Sequence, residues 1–306
     1  MKIEHLQGLI AAPFTPMNNE GSINPKVIPA YYQFLKSNKV TGAFICGSTG
    51  EGVSMMSAEK KSVIKAWADA TKGDNDFKVM ALAGGTSIED CKDIARFAKA
   101  QGLYAVSFTS PFYFKPANVQ MLAECCKEIA GAVPDMPFYY YHIPVLNGAG
   151  FPMIELLKNV AGKIPNFAGI KYTHEDFMDF LSCLHFQNGQ YDMLWGRDEN
   201  MLSALAVGSK GAVGSTFNYA APLYYDLIDA FNNNDLKKAQ TLQQQSIDMI
   251  SLLGKYGGIA TGKAFMKLVG LDCGSFRLPV KNMNAEQFDS FKKEVEQLNF
   301  CSFCSK

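Results

Sequence analysis

Arginine is nearly missing from this chain: of 306 residues only Arg96, Arg197 and Arg277 carry a guanidinium. The 29 Lys and Arg residues are matched by 29 Asp and Glu. There is no surplus positive charge to draw a polyanion, which excludes nucleic acid and anionic membrane surfaces as partners. No unbroken run of about 18 apolar residues occurs, so no helical membrane span is expected. Histidine is scarce as well. His5, His142, His174 and His185 show no ligand spacing and no H-E-x-x-H, and no metal site is expected. No G-x-G-x-x-G follows the first apolar run, which argues against a dinucleotide cofactor. The first 14 residues lack the apolar core of a secretory signal, so a soluble cytoplasmic protein with reduced thiols is expected. Its eight cysteines form no framework, and the one C-x-x-C, Cys301 to Cys304, reads as part of a frayed tail.

Eight short apolar runs alternate with helical patterns. They are Gly8 to Phe14, Gly42 to Cys46, Lys78 to Ala83, Ala105 to Thr109, Pro137 to Tyr141, Phe167 to Lys171, Tyr191 to Trp195 and Gly211 to Ser215. They are apolar on both faces, as strands are when helices cover one side and a packed lumen the other. Asn24-Pro25 reads as an N-cap followed by proline, Ser87 to Asp90 as a capping box, and Ser57 as the cap of the second helix. Eight β-then-α units in one series predict a (β/α)₈ barrel over residues 1–220. Residues 221–306 read as the last barrel helix followed by a helical C-terminal extension.

Barrel chemistry sits at the C-terminal ends of the strands. There the sequence places Gly47-Ser48-Thr49-Gly50-Glu51, Tyr139-Tyr140-Tyr141-His142-Ile143-Pro144, Gly169-Ile170-Lys171-Tyr172-Thr173, Gly196-Arg197-Asp198-Glu199 and Gly211-Ala212-Val213-Gly214-Ser215-Thr216. Lys171 is the sharpest signal. An ammonium in a buried strand is costly, desolvation lowers its pKa, and the neutral amine is the form that attacks a carbonyl. The Ser48-Thr49 turn offers hydroxyls and backbone N–H groups as a carboxylate nest, although Gly-Ser-Thr-Gly is also ordinary turn chemistry. Tyr141 is a phenol placed for proton transfer; Tyr139 and Tyr140 read as packing. Asp198 and Glu199 open a helix, where capping alone would account for them.

In this order the motifs resemble the dihydrodipicolinate synthase / N-acetylneuraminate lyase family of class I aldolases, over essentially the whole chain. The resemblance implies that Lys171 forms a Schiff base, Tyr141 moves the proton, and Ser48 with Thr49 holds the pyruvate carboxylate. The synthase branch carries an arginine shortly after the strand-five proline; here Pro144 is followed by Val145-Leu146-Asn147-Gly148. Gly196-x-Asp198-Glu199 and Ser215 resemble the sialic acid branch instead. That implies a sialic acid substrate cleaved by retro-aldol chemistry, oriented by Thr173, Gly196, Asp198, Glu199 and Ser215. It implies no cofactor, a homotetramer, and Tyr113 reaching toward a neighbouring site. Asn147 and Arg197 depart from the branch's usual pattern. An aldolase for a related 2-keto-3-deoxy sugar acid, or a silent barrel that only binds sialic acid or pyruvate, stays open.

Overall fold

The computed structural model describes residues 2–306. Among these, eight parallel strands close on themselves: β1 (Gly8–Ala11), β2 (Gly42–Ile45), β3 (Lys78–Leu82), β4 (Ala105–Thr109), β5 (Phe138–His142), β6 (Phe167–Tyr172), β7 (Asp192–Trp195) and β8 (Gly211–Gly214). Each pairs with the next, and β1 returns to β8 with Leu9 opposite Ala212 and Ile10 opposite Val213. Each strand is followed by a helix: α1 (Ile28–Ser37), α2 (Ser57–Ala70), α3 (Ile88–Ala100), α4 (Val119–Gly131), α5 (Met153–Val160), α6 (Phe177–His185), α7 (Met201–Ala206) and α8 (Phe217–Asn232). The fold is the (β/α)₈ barrel anticipated from the alternation. Three longer helices follow in the C-terminal extension, α9 (Leu236–Lys255), α10 (Ala260–Leu268) and α11 (Ala285–Gln297), and a one-turn helix, Pro144–Asn147, follows β5. Residue 220, where the barrel was expected to give way to its last helix, is the non-helical kink within α8.

The core has two shells. Between strands and helices lie residues such as Phe138, Tyr140, Ile170 and Tyr172; inside the lumen lie Ile10, Phe44, Met80, Tyr139, Tyr141, Ala168 and Val213. Strict alternation would send every second residue of β6 the same way as Phe167, which faces the helices. It does not, because Phe138 pairs with Phe167 while Tyr139 pairs with Gly169, leaving Ala168 as an extra residue. This β-bulge resets the parity, and Lys171, which alternation alone would turn outward, faces the lumen.

Three local expectations fail. Asn24 precedes Pro25 at the start of a short 3₁₀ turn, Pro25–Val27, but its side chain makes no capping hydrogen bond. Ser57 is the first residue of α2 and not its cap; the exposed N–H of Met56 is met by the Glu59 carboxylate at 2.9 Å. Ser87 does cap α3, accepting from the Asp90 N–H. The C-terminal tail is not frayed. Phe300 and Phe303 are buried, the former beside Phe265, the Ser305 N–H donates to the Tyr219 carbonyl, and Lys306 is bonded through its backbone to Asn38. Burying two aromatic rings outweighs the entropy of ordering a few residues.

Candidate active site

A cavity of about 260 Å³ opens at the C-terminal ends of the strands, and all nine barrel residues anticipated for the site line it: Ser48, Thr49, Tyr141, Lys171, Thr173, Gly196, Asp198, Glu199 and Ser215. Tyr113 is not among its walls. It is 78% exposed and lies edge-on against the ring of Phe114, itself 86% exposed.

The turn after β2 is built tightly. Cys46 and Glu51 take left-handed backbone angles, the Gly52 N–H returns to the Gly47 carbonyl at 3.0 Å, and the Thr15 hydroxyl ties down the Gly50 carbonyl at 2.6 Å. A side chain at position 52 would collide with the Cys46 carbonyl, so glycine is required there. Among the described residues nothing accepts from the Ser48 or Thr49 N–H groups, which leaves them, with two hydroxyls, as an anion nest. Glu51 was read only as part of the turn. Its carboxylate instead accepts from Lys263 Nζ at 2.8 Å and the Arg277 N–H at 2.9 Å, anchoring the nest to α10 and the segment after it.

Lys171 is 4% exposed, with its Nζ 4.0 Å from the centroid of the Tyr141 ring and 4.3 Å from that of Phe44. Burial draws its pKa down to about 7, against a smaller opposing pull from the Asp198 carboxylate. A large fraction of the amine is therefore neutral and nucleophilic near pH 7. The Tyr141 phenol is pushed above its usual range by burial, an upward shift that the nearby Ser48 and Thr173 side chains partly offset. It starts protonated, next to hydroxyls able to pass a proton on.

On the far side, Gly196 lets Thr173 into the cavity: a Cβ there would lie 2.0 Å from Thr173 Oγ1. The Asp198 carboxylate is 5% exposed and accepts from both the N–H and the hydroxyl of Thr216, at 2.8 and 2.6 Å. Burial raises its pKa to about 6 despite those bonds. Arg197, the one guanidinium on the rim, is already paired with Glu175 at 2.9 Å and Glu199 at 2.7 Å. Asn147 does not line the cavity: it donates to Thr109 Oγ1 and accepts from the Ala149 N–H. Apolar walls come from Ile143, Leu146, Ile250, Leu253 and Ile259. The last three belong to the C-terminal extension: Ile250 and Leu253 form part of an apolar stripe on α9, which looks the same in sequence whether it faces a helix or a cavity, and Ile259 sits in the turn before α10.

The site thus offers one amine of lowered pKa, one phenol, a hydroxyl nest and a polar far wall. No cluster of three or more metal-ligating side chains exists among the described residues. Residues 5–298 match the dihydrodipicolinate synthetase family. The N-acetylneuraminate lyase of Homo sapiens is 38% identical over 304 residues, covering 97% of this chain and 94% of the human protein. Solved N-acetylneuraminate lyases superpose closely. That of Proteus mirabilis gives a TM-score of 0.94 at 38% identity, covering 97% of this chain and 100% of its own. That of Aliivibrio salmonicida, also described as a sialic acid aldolase, gives 0.94 at 36%, covering 97% and 98%.

Proposed function

This chain belongs to the dihydrodipicolinate synthetase family, and within it we propose that the protein is a class I aldolase cleaving N-acetylneuraminate to N-acetylmannosamine and pyruvate. The observation that carries the reading is Lys171: a lysine enclosed between Phe44 and Tyr141, its pKa near 7, beside an anion nest. The substrate carboxylate is received by Ser48, Thr49 and their N–H groups. Neutral Lys171 adds to the C2 ketone of the open-chain sugar acid, and loss of water leaves an iminium. As the C3–C4 bond breaks, its electron pair flows into the iminium to give an enamine. Tyr141, close to the Ser48 and Thr173 side chains, takes up the proton leaving the C4 hydroxyl. Protonation of the enamine at C3 and addition of water then release pyruvate and restore Lys171.

Thr173, the Gly196 backbone, Asp198, Glu199 and Ser215 orient the polyhydroxy tail. A synthase reading would need a guanidinium for a second carboxylate, and Arg197 is committed to Glu175 and Glu199. The protein works in the cytoplasm as a homotetramer, in which a neighbouring copy covers the exposed Phe112, Tyr113 and Phe114. Among the described residues no helix is long and apolar enough to cross a membrane. The deciding experiment is pyruvate release from N-acetylneuraminate by wild type and Lys171→Ala. Release by wild type only is expected; equal release by both removes Lys171 from the chemistry.

A further inference from the structure

The Asp198 carboxylate has two oxygens in different circumstances. Oδ2 takes both bonds from Thr216; Oδ1 accepts none among the described residues and lies over Gly214, where a Cβ would fall 2.2 Å from it. Thr216 Oγ1 is also 2.6 Å from the Tyr224 hydroxyl, which is 2.7 Å from Ser246 Oγ. A hydroxyl has one hydrogen and an ionised carboxylate can only accept. The chain of bonds therefore runs one way: Ser246 donates to Tyr224, Tyr224 to Thr216, and Thr216 to Asp198. Gln243, one turn before Ser246 on α9, donates to the Asp198 carbonyl at 3.3 Å and accepts from the Leu202 N–H at 2.8 Å. One face of one helix thus holds both the main chain and the side chain of Asp198. The same helix supplies Ile250 and Leu253 to the cavity wall. Thr216, Tyr224 and Ser246 are essentially inaccessible to solvent. Burying three hydroxyls where apolar side chains would pack at no polar cost calls for a use.

We propose that Tyr224 and Ser246 are positioning residues for the sugar end of the site, acting through Thr216 to hold Asp198 so that Oδ1 meets a substrate hydroxyl. The assignment rests on the sugar acid reading above. Pyruvate, the short half of that substrate, is held at the opposite end and does not draw on this chain of bonds.

The test compares Tyr224→Phe, Ser246→Ala, Thr216→Val and Thr216→Ser in two assays: steady-state cleavage of N-acetylneuraminate, and trapping of pyruvate on Lys171 with cyanoborohydride. Loss of one buried hydrogen bond corresponds to roughly a five- to tenfold effect. Tyr224→Phe, Ser246→Ala and Thr216→Val should raise KM by about that factor with kcat within about twofold. Thr216→Ser, which keeps the hydroxyl, should stay near wild type. Pyruvate trapping should be unchanged in all four. An unchanged KM in Tyr224→Phe and Ser246→Ala overturns the assignment, and so does a parallel fall in trapping, which would mark a loosened barrel. A wild-type protein that traps pyruvate but leaves N-acetylneuraminate intact overturns the substrate reading and this assignment with it.

Discussion

Tyr139 pairs with Gly169, two residues along β6 from the Phe167 that faces Phe138. That single offset turns Lys171 into the barrel. Gly169 also packs against β7 so closely that a Cβ would lie 1.9 Å from the Asp192 carbonyl oxygen, and backbone on both sides leaves nothing to yield. Gly169→Ala should therefore cost about 1–3 kcal/mol by overpacking, and pyruvate trapping should fall by more than the loss of folded protein explains. Urea unfolding alongside the trapping rate, normalised to folded protein, checks this; normal trapping would show that the bulge does not aim the lysine.

The pH dependence of Lys171 has two expected faces. Because its pKa lies near 7, the rate of pyruvate adduct formation should fall about tenfold per unit below pH 7 and level off above about 8. In the unfolded chain the same lysine titrates near ~10.4. Between the two values the unfolded state holds the proton and the folded state does not, so the contribution to stability rises with pH from 7 to ~10.4 and is lost as pH falls to 7. Lys171→Met should abolish activity yet stabilise the protein by about 1–4 kcal/mol at pH 6.5. Its advantage should shrink by pH 9. Urea midpoints at three pH values read this directly, and an advantage independent of pH would contradict the assignment.

The buried pair of Glu51 and Lys263, 3–4% exposed on both sides, makes a different prediction. Removing one partner leaves the other charged and enclosed, so Lys263→Met should lose about 3–5 kcal/mol. Glu51→Gln combined with Lys263→Met should recover part of that. Since Glu51 anchors the Ser48-Thr49 turn, the pyruvate concentration needed for half-maximal trapping should rise in the single variant. Chemical denaturation and a pyruvate titration measure the two effects separately.

Removing residues 300–306 should also be costly. Phe300 and Phe303 are buried, each worth about 1.5–3 kcal/mol, and Ser305 closes two hydrogen bonds around the start of α8. A loss of about 3–6 kcal/mol is expected on this count. A thermal midpoint indistinguishable from the full chain would mean the tail is ornamental.

The strand series, the closure it implies and the rim residues were all legible in one dimension. Period and punctuation are local, and β4 was anticipated to the residue as Ala105–Thr109. The nine cavity residues were found because a barrel puts strand ends together, and polar side chains in apolar runs stand out. Glu51 was named only for its turn. Its partner Lys263 lies 212 residues away, and no local pattern announces such a pairing. Ile250 and Leu253 were hidden because apolar helical residues look alike whether they cover a core or a ligand, and Ile259 because it lies in the turn between α9 and α10, outside any periodic pattern.

The composition and motifs by themselves determined that this is a barrel with an amine, a phenol and a hydroxyl turn at one rim, with no guanidinium to spare. The tertiary structure alone decided which way the amine points. Parity along a strand is a local rule, but it is reset wherever a neighbouring strand pairs with one residue fewer. The extra Ala168 exists only as a relation between β5 and β6. The same holds for Asp198, whose sequence context suggested a helix cap, and whose fixed carboxylate depends on Thr216, Tyr224 and Ser246 arriving from two other helical segments.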